Sequence, residues 1–352
     1  MTSKASVWLF FSIMMLTLKT HSQIIEKFTL PVLTSIRAIE VLNDSSVWFA
    51  GSNGCFGYTN DNGLTWQIDS FAIAGWKPDF RSMACINPGT ILLLNAGSPA
   101  RLLKSTDSGQ NWSIVYSDDR KEIFFDSMQF WDNQHGIAVG DPINGCFIIL
   151  LTLDGGDHWS AIDCSVLPDA MPGEAMFAAS NTCVDVIGNN IYIGTGGSHA
   201  RVLYSTDHGK SWEIAATPIQ KGGSLTGIFS IDFYDQQNGV VAGGNYEKPN
   251  MSLQTKAISD DGGRTWKEIS GNDETGFASC IQFQPNAATK KLLMVTRDGI
   301  YFSNRPGKQW KELKDVYGLP AGTGFNTIKF APGGQVAWCG GADGTIGRIQ
   351  FK

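Results

Sequence analysis

Two arginines and two carboxylates carry the chemistry this sequence could do. Arg37 and Arg81 each stand two residues ahead of an apolar residue in a strand-like run (Ile39, Met83), and Asp126 stands in the same relation to Met128. Glu174 precedes the corresponding run of the next segment. A guanidinium at a strand start can clamp a carboxylate or sulfate through two parallel hydrogen bonds. A buried aspartate or glutamate can act as acid or base once desolvation raises its pKa. Other candidates for ligand contact stand in nearby loops. Gly97-Ser98-Pro99-Ala100-Arg101 and Gly197-Ser198-His199-Ala200-Arg201 are near-copies, and Asp141 and Tyr246 lie at comparable positions. No His, Cys, Asp or Glu cluster has metal-ligand spacing, and no cofactor is expected. A second reading stands beside the first: Arg37, Arg81, Asp126 and Glu174 as an internal ring of salt bridges, with Arg101 and Arg201 bonding neighbouring loop carbonyls.

These residues must be positioned by a repeat. One octapeptide, Ser/Thr-x-Asp-x-Gly-x-x-Trp, occurs at 59–66, 105–112, 152–159, 205–212 and 259–266, and a sixth copy at 303–310 has Arg305 in place of the aspartate. The aspartates Asp61, Asp107, Asp154, Asp207 and Asp261 are 46, 47, 53 and 54 residues apart, the length of one four-stranded propeller blade. A short carboxylate followed two residues later by glycine accepts backbone N–H bonds across a tight turn, so these five are expected to be structural. The tryptophan is expected to wedge between blades.

Around each box, apolar runs of four to eight residues alternate with Gly, Asn and Asp clusters, the pattern of short strands. Six blades carry a box or its degenerate copy. A seventh spans 325–351 but lacks an outer strand, which the segment 24–30 can supply. The expected fold is therefore all-β: a seven-bladed propeller of four-stranded antiparallel blades over 23–352, its ring closed by the N-terminal strand. In that frame Arg37, Arg81, Asp126, Phe229, Ser279 and Asn326 occupy equivalent inner-strand positions at one mouth of the channel. The Asp boxes occupy the other face.

Residues 1–22 have the form of a signal peptide. Lys4 gives the basic start, residues 7–18 an apolar run of twelve, and Thr20 and Ser22 flank a cleavage site. Twelve residues are too few to span a bilayer, so no membrane span is expected after cleavage. Cleavage would leave 25 basic against 33 acidic residues, a net charge of −8, which argues against nucleic acid. The seven cysteines show no CxxC spacing. Most read as small buried hydrophobes, with a Cys146–Cys164 bridge open to an exported chain.

The octapeptide is the Asp-box, or bacterial neuraminidase, repeat. Together with 130–141 (Phe-Trp-Asp-Asn-Gln-His-Gly-Ile-Ala-Val-Gly-Asp) and 233–244, it makes the chain resemble the photosystem II assembly/stability factor propellers and their secreted bacterial relatives. That resemblance implies a monomeric, secreted or periplasmic scaffold that holds an envelope or secreted protein, or an acidic glycan, on its Arg-rich face. The same repeat occurs in sialidases, which implies the alternative: a glycoside hydrolase or lyase acting on an acidic sugar. Arg37, Arg81 and Arg101 or Arg201 would then imitate the arginine triad, Asp126 or Glu174 the acid, and Tyr246 the nucleophile. Against this, sialidases carry Arg-Ile-Pro in the first blade where this chain has Arg37-Ala38-Ile39, and they have six blades. Fold alone decides neither.

Overall fold

The computed structural model describes residues 24–71, 76–269, 275–306, 309–315 and 324–351. The expected signal peptide at 1–22 and part of the degenerate box lie outside the described residues. Within them the chain forms seven sheets arranged as the blades of a propeller. Blade one shows the common plan: Ile36–Asn43 next to the axis, then Ser46–Gly51, Cys55–Thr59 and Gln67–Ser70 outward, each antiparallel to the last. The inner strands of blades two to seven are Phe80–Asn87, Phe125–Phe130, Val184–Ile187, Thr226–Phe233, Ala278–Phe283 and Phe325–Phe330.

Blade seven is completed from the other end of the chain. Ile24–Thr29 pairs antiparallel with Thr345–Gln350, Phe28 opposite Ile346, and so closes the ring without leaving the edge of the last blade bare. Each of the seven gaps between neighbouring blades is filled by its own buried apolar cluster. Blade stacks on blade because each sheet is apolar on both faces near the axis.

The Asp box shows why its residue types are needed. In blade five, one oxygen of Asp261 accepts from Ser259 Oγ at 2.8 Å and from the Thr265 amide at 2.9 Å, and the other from Thr265 Oγ1 at 2.6 Å. Gly263 has φ +83°, and a Cβ there would meet Tyr192 at 2.9 Å, so both backbone hand and close packing demand glycine. Trp266 Nε1 donates to the Gly263 carbonyl at 3.0 Å, while its ring packs with Phe233 in the cluster shared with blade four. Burying a ring of that size contributes about 3 kcal/mol. Asp61, Asp107, Asp154 and Asp207 bond within their own boxes in the same way. These hydrogen bonds hold Asp61 and Asp107 down at about 2.

Candidate functional site

Six of the seven inner strands run through the channel wall in a shared register and blade four does not. Its outer neighbours (Asn190–Gly194, Arg201–Ser205, Glu213–Ala216) are ordinary, but its inner strand begins only at Val184. The lead-in 177–182 instead crosses the channel as a plug. Asn181 takes the left-handed conformation (φ 61°), which asparagine tolerates, and its side chain points among the inner strands. Its Oδ1 accepts from Ser82 Oγ, from Ser127 Oγ at 3.1 Å and from the Met128 amide at 3.2 Å, and its Nδ2 donates to the Met83 carbonyl at 3.0 Å. Ser180 Oγ donates to the Ser279 carbonyl at 2.7 Å, and Thr327 Oγ1 donates to the Ser180 carbonyl at 2.8 Å. Thr182 bonds Ser230 at 2.8 Å, and Arg37 donates to the Ala179 carbonyl at 3.3 Å. The plug is thus tied to the inner strands of all six other blades.

Above the plug, at the mouth where the inner strands start, lies a cavity of about 580 Å³. Ala178 and Ala179 form part of its lining, and Arg37, Arg81, Tyr246, Arg297 and four phenylalanines stand around them. The arginines owe their position to β-bulges. In blades one, two, three, five, six and seven the register of the inner strand slips at Arg37, Arg81, Asp126, Phe229, Ser279 and Asn326 respectively, the six positions that align in the sequence. A bulge re-aims one side chain out of the alternation of its strand.

The structure brings three of the sequence candidates to this cavity: Arg37, Arg81 and Tyr246. Arg81 Nε donates to Asp79 at 2.8 Å, and its guanidinium lies 5.7 Å from the centre of the Phe124 ring. Arg37 has no carboxylate partner among the described residues. Burial and, next, the charge of Arg81 lower its pKa.

The others lie elsewhere. Asp126 is wholly buried, and neither carboxylate oxygen closes a hydrogen bond. Burial, then the neighbouring Asp141, push its pKa well above the carboxylate range; Arg81 and the nearby amides of Ala178 and Asp141 oppose this without outweighing it. Asp141 accepts from the Met176 amide at 2.8 Å, and burial raises its pKa too.

Glu174 does not adjoin the inner strand of blade four. Glu174–Ala175 pairs with Gly196–Gly197, and the carboxylate accepts from Arg201 Nε at 2.9 Å and also from Arg201 Nη2. Thr195 Oγ1 and the Met171 amide complete its shell at 2.6 and 2.9 Å. Burial would raise its pKa, but these bonds and the arginine's charge hold it below the usual value. Arg101 pairs with Asp119 at 2.5 Å, and His199 Nδ1 lies 3.0 Å from Ser198 Oγ. Cys146 and Cys164 are joined in a disulfide that tethers the connector leading to the plug.

Sequence reasoning missed the aromatic part of the cavity. Phe177, Phe229 and Phe277 form a cluster of their own at the mouth, and only Phe229 falls on an aligned position. Arg297 and Asp298, both exposed, form part of the lining from blade six.

Fold and repeat together define the class: a seven-bladed β-propeller built on Asp boxes. The family described as BNR/Asp-box repeat matches residues 203–213 and 257–268. No curated protein matches the chain. Among solved structures, the chain is similar to YCF48 bound to D1 peptide, with a TM-score of 0.67 at 17% identity over 93% of this chain and 97% of that one. YCF48 from Cyanidioschyzon merolae gives 0.66 at 17% identity, over 93% and 99%. The Niastella koreensis GH74 enzyme gives 0.58 at 13% identity, over 88% of this chain but 58% of its own. At these identities the likeness is one of fold.

Proposed function

We propose that this chain is an exported, non-enzymatic scaffold that binds a segment of a protein partner at the Arg-lined channel mouth. The observation that carries this reading is the cavity itself. It is open above, floored by the plug, and lined by Arg37, Arg81 and Tyr246, and among the described residues its lining holds one carboxylate, Asp298, rather than a facing pair. Retaining and inverting glycosidases both need two such groups about 5–10 Å apart. Here Asp126 is wholly buried outside the lining and Glu174 is saturated by Arg201, so the acidic-sugar hydrolase reading is not favoured. The similarity to YCF48 bound to D1 peptide supports a protein rather than a glycan as the ligand. The Cys146–Cys164 disulfide supports export, since such bridges persist in oxidising compartments.

The test compares two activities of the purified chain. Immobilised protein should retain one defined envelope or secreted protein and lose it on combined Arg37→Gln and Arg81→Gln substitution. Sialosides and uronic-acid glycans should remain uncleaved. Turnover that disappears in Asp126→Asn or Glu174→Gln would overturn the reading.

A further inference from the structure

The cavity has two chemically distinct walls. One is a ladder of four aromatic rings. Phe177, from the plug, stacks on Phe229 with centroids 3.9 Å apart and planes within 8°. Phe277 meets Phe229 edge-on at 4.7 Å, and Tyr246 meets Phe277 edge-on at 5.5 Å. The ladder leads from buried rings to Tyr246, which is half exposed, beside Leu225 at 37% exposure. Such a run of rings offers flat apolar surface and ring edges to another aromatic group at little conformational cost.

The other wall is mainly cationic, with Asp298 the carboxylate among its described residues. The whole chain carries a net charge of −6, yet three arginines line this one cavity. Of these, Arg81 is already held by Asp79. Among the described residues Arg37 uses one hydrogen bond, to a backbone carbonyl, which leaves most of the five donors of a guanidinium open to a ligand. Arg297 is exposed and forms no ion pair among the described residues. A half-buried guanidinium that forms no ion pair among the described residues, in an otherwise acidic protein, is complementary to an anion brought by the partner.

We infer that this cavity recognises an acidic–aromatic pair in a protein segment: an aromatic side chain inserted along Phe229 and Phe277, with a neighbouring carboxylate taken by Arg37 under the field of Arg297. This rests on the partner-binding reading above and specifies its ligand. The cavity volume lies within the range of sites that enclose a small ligand, enough for an anchoring side chain and the group beside it. Lysine-rich or purely aliphatic segments satisfy one wall at most.

The experiment uses the full mature chain and a panel of fluorescein-labelled hexapeptides on a Gly/Ser background. One set contains Asp-Phe, Phe-Asp or Asp-Gly-Phe, and matched sets replace Asp by Asn or Phe by Ala. Anisotropy titration should show binding by at least one acidic–aromatic peptide, weakened at least about tenfold by either replacement. Arg37→Gln should weaken the acidic peptide to the level of its Asn counterpart and leave the Asn peptide unchanged, the coupling a double-mutant cycle isolates. Phe229→Ala can disturb the fold, so Tyr246→Ala and Leu225→Ser at the rim provide a second probe, and both should weaken every Phe-containing peptide. Equal binding of Asp and Asn peptides, a uniform loss in Arg37→Gln, or no binding of any peptide at millimolar concentration overturns the inference. If a protein partner nevertheless cross-links through position 246, the scaffold reading survives that failure. A partner that docks only on the Asp-box face removes both.

Discussion

The side-chain amide of Asn181 donates to the carbonyl of Met83 at 3.0 Å, joining residues 98 apart in sequence from blades four and two. Through this contact and its three partners on Oδ1, one residue with a left-handed backbone fixes the floor of the cavity. Asn181→Ala leaves Ser82, Ser127 and the Met128 amide without their shared acceptor in a buried site. The expected loss is about 3 kcal/mol of stability, because each orphaned buried polar group costs about 1–3 kcal/mol. Thermal unfolding of parent and variant measures it, and ligand affinity at the mouth should fall with it.

The pair Glu174–Arg201 predicts a second effect. Its carboxylate is fully buried and its arginine largely so. Glu174→Gln removes the charge and strands the guanidinium, and breaking a buried pair in this way is expected to destabilise by about 3–5 kcal/mol. Denaturant melts should show this loss, and the folded variant should keep its affinity for ligands at the mouth. A loss of affinity with stability unchanged would instead make Glu174 a binding residue.

The far end of the channel gives the pH dependence. Asp185 and Asp232 face Lys329, which is also paired with Glu40 at 2.9 Å. Burial, countered in part by the amides of Phe233 and Val186, raises Asp185 from 3.8 to about 6. Asp232 is raised as well, by burial and by the charge of Asp185. A raised folded pKa means that the native state binds the proton more tightly. The associated stability is complete below pH 3.8 and is lost as pH rises through about 6. Asp185→Asn sacrifices one acceptor for the Phe233 amide, a cost independent of pH. The difference in Tm between variant and parent should therefore shift in favour of the variant between pH 4 and 7. A flat difference would contradict the assignment.

The Asp boxes set the acid limit with the opposite sign. Asp207 and Asp261 are also held down at about 2, through hydrogen bonds from Ser211 and from Thr265 that outweigh what burial they have. The stability they contribute is present above 3.8 and is lost as pH falls toward 2. Asp207→Asn should shrink the acid-induced drop in Tm and lower Tm at neutral pH.

Much of this was legible in the sequence because the Asp box is a local signal. Its serine or threonine, aspartate, glycine and tryptophan interact mostly within eight residues, so the blade count and ring closure could be read from spacing. The alignment of inner strands found the bulged positions, Arg37 and Arg81 among them, because the bulge recurs in the repeat. The plug was not legible. It replaces the start of one inner strand with Ala178-Ala179-Ser180-Asn181, small and polar residues whose partners lie on six other blades. The pairing of Glu174 with Arg201, 27 residues away, and the sealing of Asp126 are tertiary facts of the same kind. The aromatic wall escaped notice because Phe177, Phe229 and Phe277 come from three separate segments, and each alone reads as core.

The most direct test of the central claim is site-specific photo-crosslinking of the exported chain. A benzophenone side chain is placed either at Tyr246, on the rim of the cavity, or at exposed Lys210, in the Asp box of blade four. The account predicts one defined protein cross-linked from position 246 and not from 210, lost when Arg37→Gln and Arg81→Gln are combined. Cross-linking from position 210 alone, or from 246 but indifferent to both arginines, would contradict it.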